Sequence, residues 1–518
     1  MPTTARNTLK SSARFSLVVL TCAALLFGPH ACCRPTSPPL VAQPLVIIGV
    51  DGLEWRLVVD LVAEGKLPEL ASMMREGSYG RLRTLEPALS PRLWTSMATG
   101  VLPERHGILG FVRPDKKDSD GQPILFTNDD RRTKALWNIA DDAGLRSCVV
   151  GYWMTSPVEP IRGVMVAQTA TPSRAARREN APSDASATRA AWQSASEHDP
   201  AKAIAKTAAT AAETATGPAF HPAPRPRKGG LLLGVSGQVH PKEMEPQVFA
   251  AVRASRHRIA QREQQIFGDA TAWPPAMQRL VEHSRWSIAA DAAYQRIALD
   301  LMSESDRCDV MLVYLGLPDV LGHRFWRWTY PEDFSTPPSA EERATYGSVL
   351  RNAYQQVDAF VGEMRRKAGE QATIVVLSDH GMGAFRPSAT WDLTRADSPL
   401  VRTGGHSSAR DALLVAAGPG IARSNSVPPR RRKNVARVGS ILDTTPTLLT
   451  LLGLAVGQDM DGHALESLLD PEFRAAHSTK RVATHTPANW LQTRPRGGSS
   501  DSSSPQRIDQ LRGLGYLE

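Results

Sequence analysis

From residue 45 onward the chain switches repeatedly between short unbroken apolar runs and longer amphipathic stretches. The run "LVIIGV" (45–50) is β-branched and predicts a strand buried in a parallel sheet. "WRLVVDLVAEGKLPELASMMREG" (55–77) reads as helix, break, helix, and "TKALWNIADDAGLRSCVVGYW" (133–153) as helix, glycine stop, strand. Further on, "RWSIAADAAYQRIALDLM" (285–302) predicts a helix and "DVMLVYLGL" (309–317) a strand. "VLRNAYQQVDAFVGEMRRKAG" (349–369) is again a helix, followed by strands "TIVVLSD" (373–379) and "ALLVAAG" (412–418) and the apolar-periodic "SILDTTPTLLTLLGL" (440–454). This alternation predicts an α/β fold: a doubly wound, mostly parallel central sheet with helices on both faces.

Two regions break the pattern. Residues 171–231 are Ala, Ser, Thr, Pro and Arg with almost no large apolar side chains. Such a stretch cannot bury enough surface to offset its ordering entropy, so a disordered insertion is expected, with order resuming by about residue 244. At the start, Arg6, Lys10 and Arg14 precede an apolar run from Phe15 to Gly28, the length of a signal-peptide core and short for a membrane span. Ala31-Cys32 resembles the end of a bacterial lipoprotein signal, although Pro29 stands where such signals carry Leu, so lipid anchoring stays open. The expected division is a leader (1–33), a catalytic domain (44–470) and a tail (471–518), in an exported protein, periplasmic or membrane-anchored.

At 518 residues the chain is long enough for one large domain or two smaller ones. Its net charge of +9 does not argue for nucleic acid, because the basic run "PPRRRK" (428–433) has no interleaved aromatics. No nucleic-acid module and no protein partner is evident. Three of five cysteines lie in or beside the leader; Cys148 and Cys308 either pair or remain buried thiols, and no C-x-x-C pattern occurs.

Acidic and imidazole residues cluster just after the predicted strands, where ligands gather in open α/β sheets. Asp51 ends the first strand; Asp319 and His323 follow the 309–317 strand; Asp379 and His380 end the next; His406 precedes 412–418. Asp319 and His323 share a face if that turn is helical. Each residue alone has a plain reading as a cap or a surface group, but together they form a mixed oxygen and nitrogen set that suits zinc better than calcium. Six ligands divide into two three-ligand sites, and two metals clamp the attacking and leaving oxygens of a phosphoryl transfer. Ser90, in "LEPALSPRLWTSMATGVLPERHGI" (85–108), supplies a nucleophile once its hydroxyl is deprotonated.

These residues in this order resemble the alkaline phosphatase superfamily, and its type I phosphodiesterase/nucleotide pyrophosphatase branch in particular. The resemblance rests on "VIIGVDGLEW", "LSPRLWTSMATGVLPERHGI", "YLGLPDVLGHRFW", "VVLSDHGMG", "GGHSSARDALLVAAGPGI", "ILDTTPTLLTLLGLAVGQDMDGHAL" and the terminal "LRGLGYLE". It implies two zinc ions, one on Asp51, Asp379 and His380 beside Ser90, the other on Asp319, His323 and His406. It also implies a covalent phosphoseryl intermediate and a small phosphoester or phosphodiester substrate.

One departure matters. The family carries an Asn three residues after the nucleophile to hold a phosphate oxygen, and here that position is Leu93, with Arg92 a candidate substitute. His106 and His463 read as structural hydrogen-bonders. A sulfatase signature is absent, since Leu89 and Ala170 stand where its Cys or Ser is needed. A phosphomonoesterase, phosphonate hydrolase or phosphomutase would use the same metals, and a non-catalytic binding protein on this fold is the remaining alternative.

Overall fold

A computed structural model describes residues 44–117, 121, 123–168, 237–303, 308–386, 402–406, 411–424, 426 and 435–494. The leader, the 171–231 insertion, the 428–433 basic run and the tail beyond 494 lie outside the described residues.

Nine strands form the central sheet. In chain order they are β1 (Leu45–Val50), β2 (Ser78–Arg83), β3 (Ser147–Val150), β4 (Gly163–Val166), β5 (Val239–His240), β6 (Val310–Leu315), β7 (Thr373–Leu377), β8 (Ala412–Ala417) and β9 (Arg437–Ser440). Their spatial order is β9-β2-β8-β7-β1-β6-β3-β4-β5. β1 pairs in parallel with β6 and β7, β3 with β6 and β4, and β9 with β2. β8 runs antiparallel to both its neighbours, and β5 antiparallel to β4. The expected doubly wound, mostly parallel sheet is therefore present.

The side-chain alternation of β1 shows why both faces must be covered. Val46, Ile48 and Val50 enter one core, while Leu45 and Ile47 enter the other. The first core is closed by the helices Trp55–Ala63, Pro68–Glu76, Pro275–Leu301, Leu317–Thr329 and Val349–Ala368, through residues such as Leu57, Met73, Ile288, Phe325 and Val361. The second takes Leu93, Trp94 and Met97 from Ser90–Thr99, Trp137 from Leu136–Asp142 and Leu448 from Thr444–Leu451. Strands hidden on both sides carry no polar alternation, which is why the sequence runs were so plain.

Cys148 of β3 and Cys308, just ahead of the neighbouring β6, form a disulfide with Cα atoms 5.7 Å apart. That settles the open choice between a bridge and two thiols. No helix among the described residues is long and apolar enough to cross a membrane.

Candidate metal centre

β7, β1 and β6 are adjacent, parallel and central, so the loops leaving their C-terminal ends converge on one edge. Asp51 sits directly after β1, Asp379 and His380 after β7, and Asp319 and His323 on the Leu317–Thr329 helix after β6. Gly52 has φ +67, and a Cβ there would lie 3.0 Å from the Asp319 backbone, so glycine lets the β1 loop close on that helix. His406 arrives on the Gly404–Gly405 strand, which pairs antiparallel with Gly383–Ala384 just beyond His380.

The structure brings all six predicted ligands together, each at most 4% exposed. Ligand atoms of Asp51, Asp379 and His380 lie within 4.8 Å of one another, and so do those of Asp319, His380 and His406. His323 Nε2 is 3.4 Å from Asp319 Oδ1, the one-turn relation the spacing implied, and its ring centre is 5.1 Å from that of His406. His380 stacks on His406 at 3.9 Å and so belongs to both groups rather than to one.

Ser90 is 1% exposed and opens the Ser90–Thr99 helix, with Pro91 in a first turn where its missing N–H costs nothing, and Gly100 closes the helix in the left-handed region. Both sides of Ser90 are tied to the centre. Two residues before it, the Ala88 backbone hydrogen-bonds His406. One turn after it, Trp94 Nε1 donates to Asp51 Oδ2 at 3.3 Å. Gly49 permits this, because a Cβ there would lie 2.7 Å from the Trp94 ring.

Asp51 Oδ2 accepts two more hydrogen bonds, from the Tyr314 hydroxyl at 2.7 Å and from Trp153 Nε1 at 3.3 Å. These donors turn Oδ1 towards His380, whose Nε2 is 3.3 Å away. The imidazoles are fixed in the same sense. His323 Nδ1 faces the Gly404 carbonyl at 2.9 Å and His380 Nδ1 the Gly381 carbonyl at 3.0 Å. A carbonyl only accepts, so Nδ1 carries the hydrogen in each ring and Nε2 is directed inward, as metal-binding histidines require.

Three buried carboxylates in one place carry a large electrostatic cost unless cations join them. Burial and the negative charge of Asp51 push the Asp379 carboxyl well above its ordinary range. Burial would also raise Asp51, but His380, 3.3 Å away, and the Tyr314 hydroxyl outweigh it and lower it. His380 moves up to about 10: burial opposes its charge, and Asp379 and Asp51 overcome that. A proton on His380 thus takes the place a cation would fill between two acids. His323 and His406 go well below the usual value, through burial first and then the charges of Arg402 and of His380 respectively. Neutral imidazole is the ligating form.

The donor set fits divalent metal. Asp51 Oδ1, both oxygens of Asp379 and His380 Nε2 are buried and make no hydrogen bond. Buried polar atoms of native proteins are otherwise almost always satisfied.

Other predicted positions resolve differently. Leu93 is fully buried in the second core, so its side chain offers nothing to a phosphate. Arg92 turns to Glu104, at 3.7 Å. His106 is structural: Ile108 N–H donates to its Nδ1 at 3.1 Å and Nε2 meets Ser96 Oγ at 3.0 Å, while burial and then Arg131 hold its pKa down to about 3. His463 is exposed, and it is its backbone amide, not its ring, that donates to Asp443. Sequence reasoning missed Tyr314, Trp153 and Trp94 as the donors that orient Asp51; only Trp94, one helical turn from Ser90, carried a signal. It also missed Glu54, which accepts from Met382 N–H at 3.0 Å and ties the β1 loop to the β7 loop.

Fold and site together define a doubly wound α/β protein with a buried carboxylate–imidazole cluster that could hold metal ions at the C-terminal edge of its sheet. The model of the type I phosphodiesterase / nucleotide pyrophosphatase family matches residues 45–445, and the chain belongs to that family.

Among solved structures the chain is similar to phosphonoacetate hydrolase from Sinorhizobium meliloti 1021 in complex with phosphonoformate, with 16% identity, TM-score 0.34, and 66% of this chain and 57% of that one covered. It thus spans little more than half the length of that hydrolase. It is also similar to human ectonucleotide pyrophosphatase / phosphodiesterase 5 (11% identity, TM-score 0.41, 83% and 100% covered) and to BT1596, a 2-O GAG sulfatase (13%, 0.41, 86% and 76%). No curated protein matches the chain in sequence.

Proposed function

We propose that this protein is an exported metal-dependent phosphoric ester hydrolase, most directly a phosphodiesterase or pyrophosphatase, whose catalytic unit spans 44–470. The observation that carries the proposal is the buried cluster of Asp51, Asp379 and His380, with acceptor atoms that make no hydrogen bond, adjoining a helix that begins at Ser90.

Two divalent ions, zinc in our reading, would be held by Asp51, Asp379 and His380 and by Asp319, His323 and His406. Bound there, they supply Lewis acidity that offsets charge on the phosphoryl oxygens and lowers the pKa of a nearby hydroxyl. Ser90 Oγ, having lost its proton, bonds to phosphorus as the ester oxygen departs, which leaves a phosphoserine diester or monoester according to the substrate. Water then cleaves that ester and restores the Ser90 hydroxyl. Tyr314, Trp94 and Trp153 hold Asp51 in register through the cycle.

Export is supported by the leader pattern and by the Cys148–Cys308 bridge, a bond that persists in oxidising compartments. Hydrolysis of bis-p-nitrophenyl phosphate and p-nitrophenyl phosphate by the mature protein, with added zinc, with chelator and as Ser90→Ala, tests the reading. Zinc-dependent turnover that is lost in the variant supports it; full activity in Ser90→Ala removes the nucleophile assignment.

A further inference from the structure

The helix that carries Asp319 and His323 starts without a cap of its own. Gly316 stands at the capping position of Leu317–Thr329 and has no side chain to offer. A carboxylate from another helix takes that role. Asp291 Oδ1 accepts from Gly316 N–H at 2.9 Å and Asp291 Oδ2 from Leu317 N–H at 3.1 Å. Asp291 belongs to Pro275–Leu301 and is 3% exposed.

One hydrogen bond would leave the helix start free to swivel, whereas two bonds to one planar group fix both its position and its direction. The junction between β6 and the helix is tight on its other sides as well. A Cβ on Gly316 would lie 2.9 Å from the Tyr314 hydroxyl, and a Cβ on Gly52 3.0 Å from the Asp319 backbone. Asp319 follows Leu317 by two residues, and His323 comes one turn later on the same helix.

Only a carboxylate has an acceptor for each amide. Asparagine offers one oxygen and turns its NH2 against the other N–H. Keeping an acid here weakens the fold near neutral pH: burial raises the Asp291 pKa to about 7, against the two amides and the charge of Arg262. Arg262, on Ile259–Phe267, also bonds the Gln295 side chain one turn along from Asp291. A buried acid that is unfavourable for folding, yet clamps the one helix bearing two candidate ligands, is placed for the centre rather than for stability.

We propose that Asp291 is a positioning residue for the centre: its carboxylate sets the start of the Leu317–Thr329 helix so that Asp319 and His323 present their ligand atoms together to one metal ion. This rests on the metal reading above and deepens it, by naming the group that preorganises one of the two ion sites.

Zinc binding by the mature protein, measured by competition with a chelating dye, tests this without substrate or turnover. Wild type should take up two ions. Asp291→Asn should bind one of them about tenfold more weakly, the lower end of the range for groups that orient ligands, and change the other less than about threefold. A role in stability alone would weaken both ions equally or neither. Two backgrounds assign the ion. In Asp51→Ala, which leaves the Asp319 ion, adding Asp291→Asn should weaken binding about tenfold; in Asp319→Ala, which leaves the other, less than about threefold. Asp291→Ser serves if Asp291→Asn fails to fold.

Equal losses for the two ions, no loss, or a loss confined to the Asp51 ion overturn the proposal while the metal reading stands. A wild type that binds no zinc removes the metal reading and this proposal with it.

Discussion

Tyr314→Phe removes one hydroxyl and nothing else from the shell around the metal centre. That hydroxyl is buried and donates to Asp51 Oδ2 at 2.7 Å, the shortest of the three contacts to that oxygen; the two indoles are at 3.3 Å. A hydrogen bond to an ionised carboxylate is worth about 1.5–3 kcal/mol, and the short distance marks this one as charge-assisted. The two indole donors remain, so the loss should fall in the lower half of that range, about 2 kcal/mol. If the loss is expressed as freedom of the Asp51 carboxylate, metal affinity drops roughly 30-fold, inside the 10–100-fold range typical of such orienting partners. Competition for zinc against a chelating dye reads this directly. Tyr152→Phe is the matched control: its hydroxyl donates to the Trp94 carbonyl at 3.1 Å rather than to a carboxylate, so affinity should change less than about threefold. A Tyr314→Phe affinity within twofold of wild type, or an equal loss in Tyr152→Phe, would refute the claim that these donors hold Asp51 for a metal.

Two further predictions concern stability. Asp291, buried on the Pro275–Leu301 helix, accepts from the Gly316 and Leu317 amides at 2.9 and 3.1 Å, ahead of Asp319. Burial outweighs these bonds and the charge of Arg262 and raises its pKa to about 7. The folded state then holds the proton more firmly than the unfolded chain, so this group's contribution falls as pH rises from about 4 to about 7. Urea unfolding should show wild type losing ground to Asp291→Asn between pH 5 and pH 8, and a constant difference would contradict the assignment. Replacing Cys148 and Cys308 with Ala opens a bridge across 160 residues and should cost about 2–5 kcal/mol. The variant's denaturation midpoint should sit at that of dithiothreitol-treated wild type; equal midpoints for oxidised and reduced wild type would count against a stabilising bridge.

The strands and the clustering of the Asp and His positions were legible for one reason: both are local. Runs such as 45–50 and 373–377 are buried on two faces, and each of these Asp and His residues except His406, which precedes its strand, follows its strand within about two helical turns. What was not legible depends on the fold closing. β2, with arginines at 81 and 83, reads as too polar for a central sheet until Arg81 finds Asp411 at 2.9 Å. Tyr314 and Asp51 lie 263 positions apart, and only the β1–β6 pairing makes them neighbours. The sharing of His380 between the two candidate ligand groups and the turning of Arg402 Nε towards the Gly404 carbonyl are side-chain geometry that spacing does not encode.

The central claim is that Ser90 becomes covalently phosphorylated during turnover. Zinc-loaded protein mixed with bis-p-nitrophenyl phosphate, quenched in acid within a turnover and digested, should yield a peptide containing Ser90 that carries a p-nitrophenyl phosphoryl group, absent after chelation. A protein that turns the substrate over while that peptide stays unmodified at every quench time would contradict the account.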